Sequence, residues 1–152
     1  MPSPQVLILI GSESDKERIA KLPIVLEWFG IGYELAVSSA HRQPEQTATL
    51  VREAQGRGMK LIIAAAGMAA HLPGVAAALT PLPVIGIPLN ASPLGGTDAL
   101  YSIVQMPPGI PVAAVGIDGA VNAGVLAARI LALQDERIGE KLAEFTRKGS
   151  KI

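Results

Sequence analysis

Short apolar runs alternate along this chain with longer stretches in which apolar residues recur every three or four positions, a rhythm that predicts strands followed by helices. Val6 to Ile10 is the first run, unbroken and of the length expected for a strand buried on both faces. It stops at Gly11. From about Asp15 to Phe29, the residues Ile19, Leu22, Leu26 and Phe29 recur at helical spacing, with Ser12, Ser14 and Asp15 as candidate caps. Pro23 would remove an interior hydrogen bond, so a kink or a restart is expected near it. Gly30-Ile31-Gly32 closes this helix, and Tyr33 to Val37 alternates as a second strand. Pro44 suits the first turn of a helix running to about Gln55, Gly56-Arg57-Gly58 stops it, and Leu61 to Ala66 reads as a third buried strand.

The same rhythm continues to the end. Ala69 to Leu79 is alanine-rich and interrupted by Pro73-Gly74, so its helix is expected at or just after that interruption. Pro83 to Pro88 is the fourth strand, followed by a loop from Leu89 to Thr97 rich in Gly, Ser and Asn, a composition that suits a lid. Asp98 is expected to cap a short helix through about Val104, and Pro111 to Val115 gives a fifth strand after a Pro-Pro-Gly turn. Gly119 to Leu133 predicts a helix of Ala, Val, Leu and Ile. In the more charged segment 135–148, Ile138, Leu142 and Phe145 share one face, the pattern of an amphipathic C-terminal helix laid on an apolar surface, in its own subunit or on a neighbouring one. The whole predicts an α/β protein: a five-stranded parallel sheet covered on both faces and built from right-handed crossovers. In such sheets ligands sit beyond the carboxyl ends of the strands, near the point where strand order reverses. The turns after strands one, two and three would then share one crevice.

Composition narrows the class. At 152 residues and 49% hydrophobic, the chain suits one domain, 1–152, burying about two thirds of its unfolded surface. Thirteen basic and thirteen acidic residues leave no broad positive field for non-specific nucleic-acid binding, so an anion must be held by a local site. Cysteine is absent, which excludes disulfides, thiolate metal sites and cysteine nucleophiles. The opening Met1-Pro2-Ser3-Pro4 lacks the pattern of a signal peptide, and no apolar run reaches the ~18 to 20 residues of a membrane span. A soluble cytoplasmic protein is the expectation.

The candidate chemistry lies in the three turns. His41 and Arg42 set a group that titrates near neutral pH beside a planar fork of donors suited to phosphate or carboxylate. Gly11-Ser12-Glu13-Ser14-Asp15 offers close backbone approach, hydroxyls and helix-start amides, which suit an anion, although an ordinary capped helix reads the same way. Asp15 fits sugar hydroxyls better than a phosphate. A ribonucleotide satisfies both halves, with Arg42 and the serines on the phosphate and Asp15 on the ribose. His71, in Ala69-Ala70-His71-Leu72-Pro73-Gly74, is either a reactive group or a histidine hydrogen-bonded to backbone. Two histidines and scattered acids make no recognised metal spacing, and the absence of a Walker-type loop and of G-x-G-x-x-G after the first strand disfavours ATP and dinucleotides.

Four segments carry a resemblance: Gly11-Ser12-Glu13-Ser14-Asp15, Ser39-Ala40-His41-Arg42, Ala69-Ala70-His71-Leu72-Pro73-Gly74 and Leu100-Tyr101-Ser102-Ile103-Val104-Gln105-Met106-Pro107. In this order they resemble the signature segments of the class I N5-carboxyaminoimidazole ribonucleotide mutases, the catalytic subunits of phosphoribosylaminoimidazole carboxylase. The resemblance implies a flavodoxin-like three-layer α/β/α fold, a homo-octamer, no metal or organic cofactor, and conversion of N5-carboxyaminoimidazole ribonucleotide into 4-carboxy-5-aminoimidazole ribonucleotide. It further implies that Ser12, Asp15 and Arg42 bind the nucleotide, that Ser39 helps at the phosphate and that His41 is the general acid and base. Gly67, Ala70, His71 and Leu72 would border the imidazole and the migrating carbon dioxide. A functional link to an ATP-dependent carboxyaminoimidazole ribonucleotide synthase also follows from the resemblance. Class II relatives carry Lys after the histidine and lack Ala-His-Leu-Pro-Gly, so Arg42 and His71 favour class I. Met68 stands where the family often has glycine, and Asn90-Ala91-Ser92-Pro93 also departs from its pattern. A flavin carrier or phospho-receiver of similar fold is the competing reading, and Ala66-Gly67 in place of an aspartate after the third strand disfavours the receiver.

Overall fold

The computed structural model describes residues 3–152. Strand β1 (Pro4–Ile10) is an inner strand, pairing in parallel with β2 (Gly32–Val37) on one side and β3 (Leu61–Gly67) on the other. Strand β4 (Val84–Leu89) pairs with β3, and β5 (Ala113–Ala114) with β4, again in parallel. The order β2-β1-β3-β4-β5 is that of a flavodoxin-like sheet, whose direction of growth reverses between β1 and β3.

Side-chain alternation along the central strands divides the interior in two. Val6, Ile8 and Ile10 of β1 and Leu61, Ile63 and Ala65 of β3 join one cluster, while Leu7, Leu9, Ile62, Ala64 and Ala66 join the other. The first is covered by helices α2 (Lys21–Trp28), α6 (Ala120–Leu131) and α7 (Glu136–Arg147). The second lies under α3 (Pro44–Ala54), α4 (Leu72–Leu79) and α5 (Thr97–Val104). Strands buried on both faces must be apolar at every position, which is why β1 and β3 read as unbroken runs. Alanine and glycine let the helices approach closely. At Gly124 a Cβ would stand 2.6 Å from Cγ1 of Val25, so the α2–α6 contact leaves no room for a side chain.

The amphipathic face of α7 lies on the core of its own chain. Ile138 and Phe145 are buried there, and Phe145 meets Phe29 and Trp28 edge-on at centroid distances of 5.5 and 5.9 Å. Asp135 caps the helix by accepting from the Arg137 backbone N–H at 3.0 Å.

Several boundaries have local reasons. The restart expected near Pro23 divides the first helix in two: α1 (Asp15–Arg18) ends before Ile19-Ala20, and α2 begins at Lys21. Pro23 then occupies the first turn of α2, where the missing N–H has no helical partner to lose. Helix α4 begins at Leu72, one residue before Pro73, which sits in the first turn for the same reason. Asp98 does not cap α5. Gly96, at φ +86°, takes the cap position and leaves Asp98 inside the first turn. The fifth strand shrinks from Pro111–Val115 to two residues, since an edge strand entered through proline lacks a ladder donor at its start.

Candidate active site

The crevice expected at the carboxyl ends of β1, β2 and β3 is a cleft of about 400 Å³. Three turns build it. After β1, Gly11 leads into Ser12, whose Oγ lies 3.0 Å from Ser14 Oγ and whose carbonyl accepts from Asp15 N at 3.1 Å. After β2, buried Ser38 and Thr47 share a 2.7 Å hydrogen bond that ties the turn to α3. Ser39 Oγ accepts the Arg42 backbone N–H at 3.2 Å, and Ser39 carbonyl accepts from Gln43 N at 2.8 Å. These bonds hold the backbone of 39–43 so that His41 and Arg42 project outward, both exposed.

After β3, Gly67 passes close to the β4–α5 loop. A Cβ at Gly67 would stand 2.5 Å from the Cβ of Ala91, so no other residue fits without displacing that loop. The His71 backbone N–H then bonds to the Ala69 carbonyl at 2.8 Å, and the His71 carbonyl accepts from Val75 N at 2.9 Å as α4 begins. The two histidines, thirty residues apart in sequence, meet here. Nε2 of His41 is hydrogen-bonded to Nδ1 of His71, with the rings edge-to-face at 4.5 Å between centroids. One nitrogen donates and the other accepts, so His71 restricts the tautomer and orientation of the ring beside it.

Ser12, Asp15, Ser39, His41, Arg42, Gly67, His71 and Leu72 all line this cleft. Ala70 does not; its methyl is buried in the cluster under α4. Met68 and Ala69 line it as well. Met68 carries a signal visible only in three dimensions, a positive φ of 56° on an exposed apolar residue. Asp15 is the one carboxylate among the lining residues. Partial burial pushes its carboxyl above the usual value, against the lowering effects of the Ser12 backbone N–H and the Arg18 charge. Among the described residues Arg42 has no ion-pair partner, which leaves its guanidinium available to an anion. No three His, Cys, Asp or Glu side chains gather as a metal site among the described residues. The cleft thus offers a fixed cation and hydroxyls for a phosphate, a carboxylate for sugar hydroxyls, and a paired imidazole for proton transfer.

The chain is 54% identical over 142 residues to the N5-carboxyaminoimidazole ribonucleotide mutase of Pyrococcus abyssi, covering 93% of this chain and 82% of that one. It is 52% identical over 144 residues to the mutase of the same name from Synechocystis sp., covering 95% and 82%. The phosphoribosylaminoimidazole carboxylase of Schizosaccharomyces pombe is 54% identical over 130 residues, 86% of this chain but 24% of that longer protein. Among solved structures, Treponema denticola PurE superposes with a TM-score of 0.88 at 32% identity, covering 97% of this chain and 92% of the other. With the AIR carboxylase family matching residues 5–151, almost end to end and through all three turns of the cleft, the chain belongs to that family.

Proposed function

We propose that the protein converts N5-carboxyaminoimidazole ribonucleotide into 4-carboxy-5-aminoimidazole ribonucleotide, a step of purine synthesis. The observation that carries this reading is the meeting of His41 with Arg42, Ser12 and Asp15 in one cleft, in a chain about half identical to proteins bearing the mutase name. Arg42 and the Ser12 and Ser39 hydroxyls hold the phosphate, and Asp15 accepts from the ribose. His41 first gives a proton to the carbamate nitrogen. The nitrogen–carbon bond breaks with its electron pair staying on nitrogen, and carbon dioxide is released beside an electron-rich aminoimidazole. Ring carbon 4 then attacks the gas. His41, now neutral, removes the proton from that carbon and restores the aromatic ring. One imidazole serves both steps, provided the gas is retained long enough to be recaptured.

His71 acts in this scheme as the partner that sets the ring of His41, and Gly67 and Leu72 bound the space near the substrate's imidazole. Nothing in the scheme calls for a metal or an organic cofactor. A homo-octamer, a cytoplasmic setting and a functional link to an ATP-dependent synthase of the carbamate complete the reading. No helix among the described residues is long and apolar enough to cross a membrane, which accords with that setting. The test is direct: the purified protein is mixed with the carbamate ribonucleotide, and the carbon-carboxylated product is followed by absorbance. Formation faster than the uncatalysed route supports the reading, and simple decay of the carbamate at its spontaneous rate removes it. A colourless protein further separates it from a flavin carrier, whose preparation is yellow.

A further inference from the structure

Three non-glycine residues among those described have positive φ: Met68, Asp118 and Ser150. Asp118 is of a type that tolerates this conformation, and its Oδ1 accepts the Asn90 backbone N–H at 3.0 Å. Ser150 lies in the turn that ends α7, where its N–H bonds to the Phe145 carbonyl at 3.0 Å. Met68, at φ 56°, has neither excuse. A long side chain is disfavoured in this region, and burial would be the usual compensation. Yet Met68 is 59% exposed. Folding therefore gains little from it, while a glycine would adopt the same backbone freely. The side chain lines the cleft that holds Ser12, Asp15, His41, Arg42 and His71. The β4–α5 loop fills the space beside the preceding Gly67, so one side of the turn that carries Met68 is closed by Ala91.

We propose that Met68 is a cover of the cleft, an apolar flap that folds over the bound aminoimidazole and keeps carbon dioxide in and water out between the two half-reactions. The inference rests on the mutase reading above. An unbranched thioether with three rotatable bonds suits the task, since it can settle on a flat ring and swing away from it. Its exposure in the free protein supplies the driving force, because closing on the ligand removes apolar surface from water. Opening of the flap before recapture lets the gas escape: the carbamate nitrogen keeps the proton it received, and free aminoimidazole ribonucleotide is released.

The experiment uses substrate labelled with carbon-13 at the carbamate carbon, in buffer with unlabelled bicarbonate, and measures the label kept in the product. Wild type and Met68→Leu retain most of it. Met68→Gly and Met68→Gln release several-fold more unlabelled product and free aminoimidazole ribonucleotide, one lacking the cover and the other carrying a polar one. Glycine suits the backbone at this position, so Met68→Gly keeps its melting temperature within about 3 °C of wild type. Equal retention in Met68→Gly and wild type overturns the cover while leaving the mutase reading intact. Wild-type retention in Met68→Gln overturns the requirement for an apolar side chain, and with it the proposal. Failure of the wild type to convert the carbamate at all overturns both readings together.

Discussion

Two hollows of similar volume differ in what their charged groups are doing. One, of about 450 Å³, lies along α7 beside Phe29 and Gly30 and is lined by Asp135, Arg137, Glu140, Lys141, Glu144 and Arg147. Most of those charges already have partners: Asp135 with Arg137 at 3.0 Å, and Glu144 with Lys148 at 2.6 Å and Lys141 at 3.7 Å. Such exposed pairs add little to stability, and they leave little to offer a ligand. The other hollow, of about 400 Å³, holds Arg42 without an ion pair among the described residues, and two histidines that lean on each other. Volume does not separate the two, and the hollow with more charged residues is the one along α7. What separates them is whether the polar groups are satisfied within the protein or held ready for something outside it.

The sharpest way to break this comparison is at His41. His41→Asn keeps the shape of the cleft and removes the proton carrier, so turnover falls by about 10²–10⁴-fold while nucleotide affinity, read by calorimetry, holds within a few-fold. Undiminished turnover would take His41 out of proton transfer. Next in size is a change under the other hollow. Phe145→Ala empties a buried aromatic site against Phe29 and Trp28, which costs about 3–5 kcal/mol in a denaturant titration. Activity per folded molecule stays at the wild-type level. A specific loss of activity there would erase the distinction between a structural region and a reactive one.

Arg42→Ala should weaken nucleotide binding by about 10- to 100-fold, as expected for a charge-assisted hydrogen bond of roughly 1.5–3 kcal/mol, with a small effect on melting temperature. An unaltered Michaelis constant would assign the phosphate to another group. The smallest effect sharpens the comparison at Asp15. Its folded carboxyl titrates above the ordinary value because of burial, so between the two values the folded state binds more protons than the unfolded chain. Stability therefore falls as pH rises through that window, and an ionised Asp15 burdens the fold at neutral pH. Asp15→Asn should slightly raise the melting temperature at pH 7, lose that gain when the pH drops below the ordinary carboxylate range, and bind the ribonucleotide more weakly. A lower melting temperature at pH 7 would mark Asp15 as a structural residue.

Much of this contrast was legible in the order of residues. The runs at Val6–Ile10 and Leu61–Ala66 announced strands buried on both faces, and the two histidines and Arg42 stood in turns that a parallel sheet must bring together. Segment breaks were less legible. Pro23 signalled trouble in its helix, but whether the chain kinks or restarts depends on how Leu22, Val25 and Leu26 seat against α6, a packing question. Asp98 has the chemistry of a cap, and Gly96 takes that position because the chain enters the helix through two left-handed glycines, Gly95 and Gly96. Ala70 lay in the right segment, yet its side chain is buried in the cluster under α4 rather than lining the cleft.

Local pattern was enough for the class of fold, the number of strands, and the residue types able to move a proton or hold an anion, because these depend on periodicity and on side-chain chemistry. Tertiary structure alone decided that His41 and His71 touch and that Gly67 is wedged against Ala91. It also decided that Met68 lies exposed at the cleft in a conformation its type disfavours. Each of these depends on distances between segments far apart in the chain, and only the packing of the sheet and its helices sets those distances.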